Sequence, residues 1–433
     1  MNDGHIERDA PAMNLNRRHR SWYERVIQSE ISRFFIGLLI TIVLPALLIW
    51  NGQSIGDYDA GQTAAVIISL IAFAVCQFTL SRLLAFPGEQ SASFIPFTIL
   101  FAYLSLTLLA IFFRLDVSRL FVFVSGVLCL VWGFINFSLA RRFIRLKFAV
   151  VPVGDIEDVK DLPNVDVRVL SSPDLGRTRY DGIVADLHSL SDGQWERFLT
   201  TCALADIPVY HVGNIIESLT GRVKIDSLSE NNIGALLPSQ GYKTAKRTLD
   251  LLLAVVLLPV LLPLILVIAV LVKMDSPGPV FFVQERVGLG NKPFRMWKFR
   301  SMRVSDDSQA RFASDDDERI TRFGCIIRKF RIDELPQIFN VILGNMSFIG
   351  PRPEQRAFVE AFDRQIPFYS YRHVVKPGIS GWAQVTQGYV ADHENTVEKL
   401  QRDLYYIKHF SLWLDLLITL KTVRTVLTGF GAR

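Results

Sequence analysis

The sequence predicts a membrane-embedded helical bundle, then a small α/β domain with a doubly wound parallel sheet, then a bent apolar helix leading into a mainly helical (α+β) cytosolic domain. Three observations carry this. Four apolar runs, Phe34–Trp50, Ala64–Leu84, Phe94–Phe113 and Leu120–Leu139, each come close to the ~20 residues that cross a ~30 Å hydrocarbon core as a helix. From Phe148 to about Gln240 short apolar runs alternate with helix-like stretches, as strands do with crossover helices. A last long apolar run, Leu249–Lys273, carries Pro259 and Pro263 at its middle.

Bulk composition agrees. Half of the 433 residues are hydrophobic and only 21% are charged, with a mean hydropathy of +0.28, apolar for a water-soluble chain. The formal charge of +5 suits an anionic lipid surface or a phosphate-bearing substrate and gives no ground for a nucleic-acid partner. Cys76, Cys129, Cys202 and Cys325 have neither metal-ligand spacing nor the pattern of a disulfide framework, so the globular parts are expected in the cytosol.

Residues 1–30 read as a polar cytoplasmic tail, with Arg17, Arg18, His19, Arg20 and Arg25 ahead of the first apolar run. A signal peptide is the alternative, but no small-residue cleavage site closes that run. Residues 31–147 hold the four predicted transmembrane helices. Their first loop carries Asp57 and Asp59 and no base, whereas Arg141, Arg142, Arg145 and Lys147 follow the bundle. The positive-inside rule puts both ends in the cytoplasm, as an even number of crossings requires.

In the α/β domain, 148–240, strands are expected at Phe148–Val153, Val165–Leu170, Gly182–Ala185 and Ile207–Val212, and a helix over Asp192–Ala205. Gly154 stands alone where a dinucleotide loop would fall. Without G-x-G-x-x-G the backbone cannot approach a pyrophosphate closely, so a structural or subunit-contact role is expected rather than NAD binding. His188 and His211 have no ligand-spaced partners and read as ordinary residues at strand ends.

The segment 241–273 is long enough to cross, but each proline removes a backbone hydrogen bond and bends a helix. From Leu251 to Pro263 the apolar limb is roughly 18 Å and the limb beyond it about 15 Å at 1.5 Å per residue, each short of ~30 Å. Bases bracket both ends, with Lys243, Lys246 and Arg247 before and Lys273 after. A helix that enters and leaves on the cytoplasmic face satisfies all of this; a proline-kinked crossing is the alternative.

In the last domain, 274–433, Val280–Gln284 reads as a strand, Gly288 and Gly290 permit a tight turn, and Phe294–Met302 returns with Lys298 and Arg300 at alternating spacing. On an extended segment both bases point to one face, where they can meet a diphosphate or simply face solvent. The Asp- and Ser-rich stretch Val304–Arg319 reads as a mobile loop. Arg328 to Pro353 then runs R-K-F-R-I-D-E-L-P-Q-I-F-N-V-I-L-G-N-M-S-F-I-G-P-R-P. Leu335, Ile338, Ile342 and Leu343 recur at helical spacing, so Asp333 and Glu334 are expected to open a helix whose other face is buried.

Adjacent acids among arginines suit phosphoryl chemistry. A carboxylate can attack phosphorus, but charged diphosphate oxygens repel it. Mg²⁺, bound by one or two carboxylates and the substrate phosphates, removes that repulsion. The bland alternative is that both acids merely suit the positive end of a helix dipole. Further on, Lys376–Trp382 reads as a rigid turn before a buried tryptophan, and Gly388–Thr396 as a variable loop. Trp413, Leu416, Leu417, Leu420, Val423 and Leu427 share one side of a final helix beside Lys421 and Arg424, which fits either the headgroup layer or a core-facing helix.

The motif D-E-L-P-Q-x-x-N-V-x-x-G-x-M-S-x-x-G-P-R-P, with Q-E-R-V-G at Gln284–Gly288, K-F-R-S-M at Lys298–Met302 and K-P-G-I-S-G-W-A-Q-V at Lys376–Val385, resembles the bacterial sugar transferase family. These are monotopic phosphoglycosyl transferases, or polyprenyl-phosphate hexose-1-phosphate transferases. The likeness covers about Tyr242 to Arg433; larger members precede this part with four transmembrane helices and a Rossmann-like domain. It implies a multi-pass protein of the bacterial inner membrane, its catalytic domain on the cytoplasmic face, that passes hexose 1-phosphate from a UDP-sugar to undecaprenyl phosphate and releases UMP, the first step of a polysaccharide repeat. It also implies Asp333 as nucleophile, Glu334 as the Mg²⁺ ligand, Arg328 and Arg352 on phosphate, and Lys298, Arg300 and Arg286 on the diphosphate or the site's frame. A re-entrant helix kinked at Pro263, Pro259 sharing the bend, and a homodimer through the α/β domain are implied as well. The sequence departs from the family where Leu262-Pro263 replaces a Ser-Pro pair, where Asn345 replaces an acid, and where Phe330-Arg331-Ile332 replaces a Thr-Ser pair before the acids. A non-catalytic scaffold or regulator of polysaccharide assembly, or a phosphohydrolase passing the aspartyl-phosphate to water, are the other classes the residues allow.

Overall fold

A computed structural model describes residues 29–84, 86, 92–143, 146–160, 162, 165–176, 178–190, 192–225, 238–303, 319–387 and 393–428. The tail ahead of Ser29 and most of the two predicted loops, 304–318 and 388–392, lie outside these residues. The chain divides into two compact units at Thr220 and Gly221.

The first unit opens with α1 (Glu30–Ile49), α2 (Ala60–Leu84), α3 (Phe94–Phe112) and α4 (Arg119–Phe143). Small and aromatic side chains meet in the bundle interior, among them Ala65, Ala72 and Phe73 of α2, Ala102 of α3, and Phe121 and Trp132 of α4. Small residues let helix backbones approach closely where lipid supplies no hydrophobic drive. The outside is as apolar as the inside, with Leu48, Phe78, Phe101, Phe112 and Phe123 exposed, which suits a hydrocarbon solvent.

After the bundle come β1 (Leu146–Val150), the one-turn α5 (Glu157–Lys160), β2 (Val165–Val169), β3 (Gly182–Ala185), α6 (Gly193–Leu204), β4 (Val209–His211) and α7 (Val212–Thr220). The strands form one parallel sheet in the order β2-β1-β3-β4. Alternating side chains serve opposite faces. Ala149, Ile183 and Ala185 pack with Trp195, Phe198 and Leu199 of α6, while Phe148, Val150 and Val184 pack with Val159 of α5 and Val212, Ile215 and Ile216 of α7. The Asp192 carboxylate caps α6 by accepting from Gln194 N–H at 2.9 Å.

The strand order reverses between β1 and β3, the place where open α/β sheets take ligands. There the Asp186 carboxylate accepts from Ser189 Oγ at 2.7 Å and from the backbone N–H groups of His188 and Asp155 at 3.1 and 3.4 Å. A Cβ on Gly154, at φ +78°, would run into that carboxylate. The turn after β1 thus wraps a side chain of the protein itself. His188 and His211, far apart in sequence, meet here with ring centroids 4.9 Å apart, and His211 Nε2 lies 3.5 Å from Asp186.

The second unit begins at Gly221, whose carbonyl accepts from the Trp382 indole at 2.9 Å. Its first helix, α8 (Gln240–Asp275), is continuous through Pro259 and Pro263. Then follow the hairpin β5 (Phe281–Val287) and β6 (Pro293–Phe299), α9 (Arg322–Lys329), α10 (Gln337–Leu343), β7 (Ser347–Ile349), α11 (Arg356–Gln365), β8 (Gly378–Ser380), α12 (Trp382–Thr386), α13 (His393–Lys408) and α14 (Leu412–Thr428). One core joins Ala254, Ile265, Ile268 and Val272 of α8 to Met296 and Phe299 of β6 and to Ile338 and Val341 of α10.

Both ends of α8 are tied to this domain. Arg247 donates to the last carbonyls of α10, Val341 at 2.5 Å and Ile342 at 2.9 Å, where a cation favours the dipole, and Lys246 pairs with Asp415 of α14 at 2.5 Å. At the other end Arg300 holds Ser276. The final helix buries Leu414, Leu417 and Ile418, a core face that shares only Leu417 with the expected stripe, while Leu412 and Val423 are exposed.

The parallel pair β7-β8 brings Gly350 and Gly378 so close that a Cβ on Gly378 would collide with the Gly350 amide. Gly378→Ala is therefore expected to destabilise the second unit by about 1–3 kcal/mol. Gly241→Ala, on α8 with open space around it, should be neutral or slightly stabilising. Thermal unfolding in detergent compares the two; equal transitions would contradict this packing.

Candidate active site

Asp333 and Glu334 lie in a 3-10 turn, Ile332–Glu334, rather than at the head of α10, which starts at Gln337. The cause is local. Pro336 has no N–H to give to the Ile332 carbonyl four residues back, and the bonds through this stretch run three residues back, as in Glu334 N–H to Arg331 O at 3.2 Å and Leu335 N–H to Ile332 O at 3.1 Å. Arg331 enters the turn at φ 55° with no side-chain cap. Ile338 is buried as expected, but Leu343 is 67% exposed, because Gly344 at φ 87° ends the helix there before its side can be covered.

Two separate segments converge on Glu334. Lys298 Nζ from β6 and Arg352 Nη2 from the turn after β7 both bind its Oε1, at 2.8 and 3.0 Å. Asp333 Oδ2 lies 3.9 Å from the same lysine. Both acids are buried. Burial works against an ionised Glu334, yet Lys298, Arg352 and Arg331 outweigh it and hold the carboxyl far below the ordinary range. For Asp333 burial prevails and pushes the carboxyl up to about 6; Lys298, Arg352 and Arg328 pull it down while Glu334 pushes it further up. One acid is thus a fixed anion and its neighbour titrates near neutrality.

Lys298 is itself positioned by α10. The Asn340 amide, 1% exposed, accepts from Trp297 N–H at 3.1 Å and donates to Arg295 O at 2.7 Å, clamping β6 to the helix that follows the acids. Sequence reasoning missed Asn340, although an amide on the buried face of a short helix is a readable signal.

Arg300 and Arg286, expected on the diphosphate or the site's frame, contact protein groups of the frame. Arg300, 5% exposed, donates to the carbonyls of Ser276 at 2.6 Å and Val272 at 3.4 Å and to Ser276 Oγ at 2.9 Å. It holds the end of α8, because the chain at Arg300 still pairs with Val280 just past that end. Arg286 donates to Pro353 O at 3.2 Å and to Gln284 Oε1 at 2.7 Å, and lies 3.7 Å from Glu354. It belongs to the frame beneath Arg352 rather than to the acid pair.

The donor set suits Mg²⁺ in kind. Asp333 and Glu334 offer hard carboxylate oxygens in one turn, and Glu334 is ionised. Among the described residues no group of three or more His, Cys, Asp or Glu could hold a metal, so further ligands would come from substrate and water, as is usual for this ion.

The sequence profile of the bacterial sugar transferase family matches residues 241–429. UDP-N-acetylgalactosamine-undecaprenyl-phosphate N-acetylgalactosaminephosphotransferase of Aeromonas hydrophila is 51% identical over 423 residues, 97% of this chain and 100% of the relative. UDP-glucose:undecaprenyl-phosphate glucose-1-phosphate transferase of Xanthomonas campestris pv. campestris is 50% identical over 190 residues, 43% of this chain and 39% of its own. The protein of the same description from Escherichia coli (strain K12) is 38% identical over 246 residues, 55% of this chain and 50% of its own. The likeness to the Aeromonas protein runs through bundle, sheet and second unit alike, and the chain belongs to the bacterial sugar transferase family.

Proposed function

We propose that this enzyme transfers N-acetylhexosamine 1-phosphate, with N-acetylgalactosamine as the first sugar to test, from a UDP-sugar to undecaprenyl phosphate at the cytoplasmic face of the bacterial inner membrane. The choice of sugar rests on the 51% identity to the Aeromonas protein across nearly the whole chain. The observation that carries the chemistry is the unequal acid pair: Glu334 fixed as an anion by two cations, Asp333 left to titrate beside it.

In this reading an ionised Asp333 oxygen attacks the β-phosphorus of the UDP-sugar. The bond from that phosphorus to the bridging oxygen breaks, and UMP leaves with the electron pair. A phosphate oxygen of undecaprenyl phosphate then attacks the same phosphorus, returns the carboxylate to Asp333, and gives undecaprenyl-diphosphate-sugar. Lys298, Arg352 and Arg328 offset the growing negative charge. Glu334 would hold Mg²⁺, and the ion, when bound, would lower the repulsion between carboxylate and diphosphate.

The membrane arrangement in this reading has α1–α4 crossing and α8 entering and leaving on one side. In support, α1–α4 are long and apolar enough, as α8 also is by length and composition, but both ends of α8 are held by the same domain through Arg247, Lys246 and Arg300. A straight helix of 36 residues would carry its ends about 50 Å apart. Two copies would pair through the sheet domain, where Val169, Leu187, Leu204 and Tyr210 are exposed.

Purified protein with labelled UDP-sugar, Mg²⁺ and undecaprenyl phosphate should yield lipid-linked product and UMP. Asp333→Asn should lower the rate by at least about 10³-fold, as loss of a nucleophile does; free sugar phosphate without lipid product would favour a phosphohydrolase. Among UDP-hexoses and UDP-N-acetylhexosamines, UDP-N-acetylgalactosamine should give the highest kcat/KM, and preference for UDP-glucose would overturn the sugar assignment. Because the nucleophile must be ionised and its carboxyl is raised to about 6, kcat/KM should climb as pH rises through about 6 and level off above it. A rate already flat down to the ordinary carboxylate range would contradict the raised Asp333.

A further inference from the structure

Pro351-Arg352-Pro353 has a single backbone N–H among its three residues, because proline has none, so the turn cannot hold itself by donating. It is held through its carbonyls. Pro351 O accepts from Gly378 N–H at 3.0 Å, Arg352 O from Arg372 Nη2 at 3.0 Å, and Pro353 O from Arg286 Nη1 at 3.2 Å. The middle contact sits directly behind the side chain that reaches Glu334.

Arg372 is built for that position. Its side chain is 1% exposed. Nη1 donates to Tyr369 Oη at 2.8 Å, and Nη2 donates to Asp403 Oδ2 at 2.7 Å as well as to the Arg352 carbonyl. Tyr369 stacks under it, with Cζ 5.3 Å from the ring centroid. Glu354, next to the turn, lies 4.0 Å from Arg372 and pairs with Lys399. A planar guanidinium can serve these partners at once, which a single ammonium cannot.

We infer that Arg372 is a positioning residue for the transfer reaction: by gripping the Arg352 carbonyl it sets the Arg352 guanidinium on Glu334 and beside Asp333. This rests on the reading of Asp333, Glu334 and Arg352 as the reacting site and names the group behind it. Arg372 touches neither acid of the pair in the contacts described, and its sequence surroundings, Y-S-Y-R-H, carry no motif for phosphate.

Arg372→Ala would strand Asp403 as a buried charge, so Arg372→Lys and Tyr369→Phe are the useful variants, tested in the full-length protein with the UDP-sugar that the wild type turns over best. Arg372→Lys should lower kcat about tenfold to a hundredfold, as small misplacements of a charged group do, with KM for the UDP-sugar within about twofold. Tyr369→Phe should lose activity in the same direction. The decisive readout is a double-mutant cycle with Arg352. If Arg372 acts through Arg352, adding Arg372→Lys or Tyr369→Phe to Arg352→Ala should lower kcat no further, whereas general loosening of the fold would lower it by the same factor in either background; that result, or wild-type kcat in both variants, overturns the inference. If Arg372→Lys does not fold, Tyr369→Phe decides by the same cycle. A wild type inactive on every UDP-sugar removes the transferase reading, and the role of Arg372 with it.

Discussion

The second unit depends on one carboxylate oxygen that serves two cations. Oε1 of Glu334 binds Lys298 and Arg352, and these come from a hairpin strand and from a turn more than fifty residues further along the chain. A buried carboxylate is costly unless paired. Pairing to two segments makes the position of each a condition for the stability of the others. The rest of the unit then reads as support: Asn340 fixes the strand to α10, Arg286 and Arg372 fix the turn, and Arg300 and Arg247 fix α8 to both.

That interaction also separates the two acids chemically. Both are buried in the same short turn, yet the cations fall mainly on Glu334, so burial is overcome there and not at Asp333. Neighbouring groups with opposed shifts are how a site assigns one to hold charge and the other to change it. The 3-10 geometry contributes, because it sets the acids apart from α10 and lets Lys298 reach across from β6.

Much of this was legible in the sequence where the signal is local and periodic. The four apolar helices, the sheet strands, the β5-β6 hairpin and the acid pair all follow from patterns within a few residues. Destinations of long side chains were not legible. Lys298 and Arg300, two residues apart on one segment, go to the acids and to the end of α8 respectively, because only the tertiary path decides what lies above each. Likewise Arg372, Glu354 and the α13 pair Lys399 and Asp403 form one network from three distant places, and no spacing announces it. The start of α10 was misplaced by one turn for a reason visible in hindsight, Pro336. In the last helix, too, packing buries Leu414, Leu417 and Ile418, a face that shares only Leu417 with the stripe read from the sequence.

The central claim is that Asp333 carries the sugar phosphate between donor and lipid. Intact-protein mass spectrometry after mixing the purified enzyme with UDP-N-acetylgalactosamine and Mg²⁺, acceptor withheld, tests it most directly. The account predicts a gain of one N-acetylhexosamine phosphate, mapped by peptide fragmentation to Asp333 and discharged when undecaprenyl phosphate is added. An unmodified protein that nevertheless forms lipid-linked product once acceptor arrives, or an adduct on another residue, would contradict it.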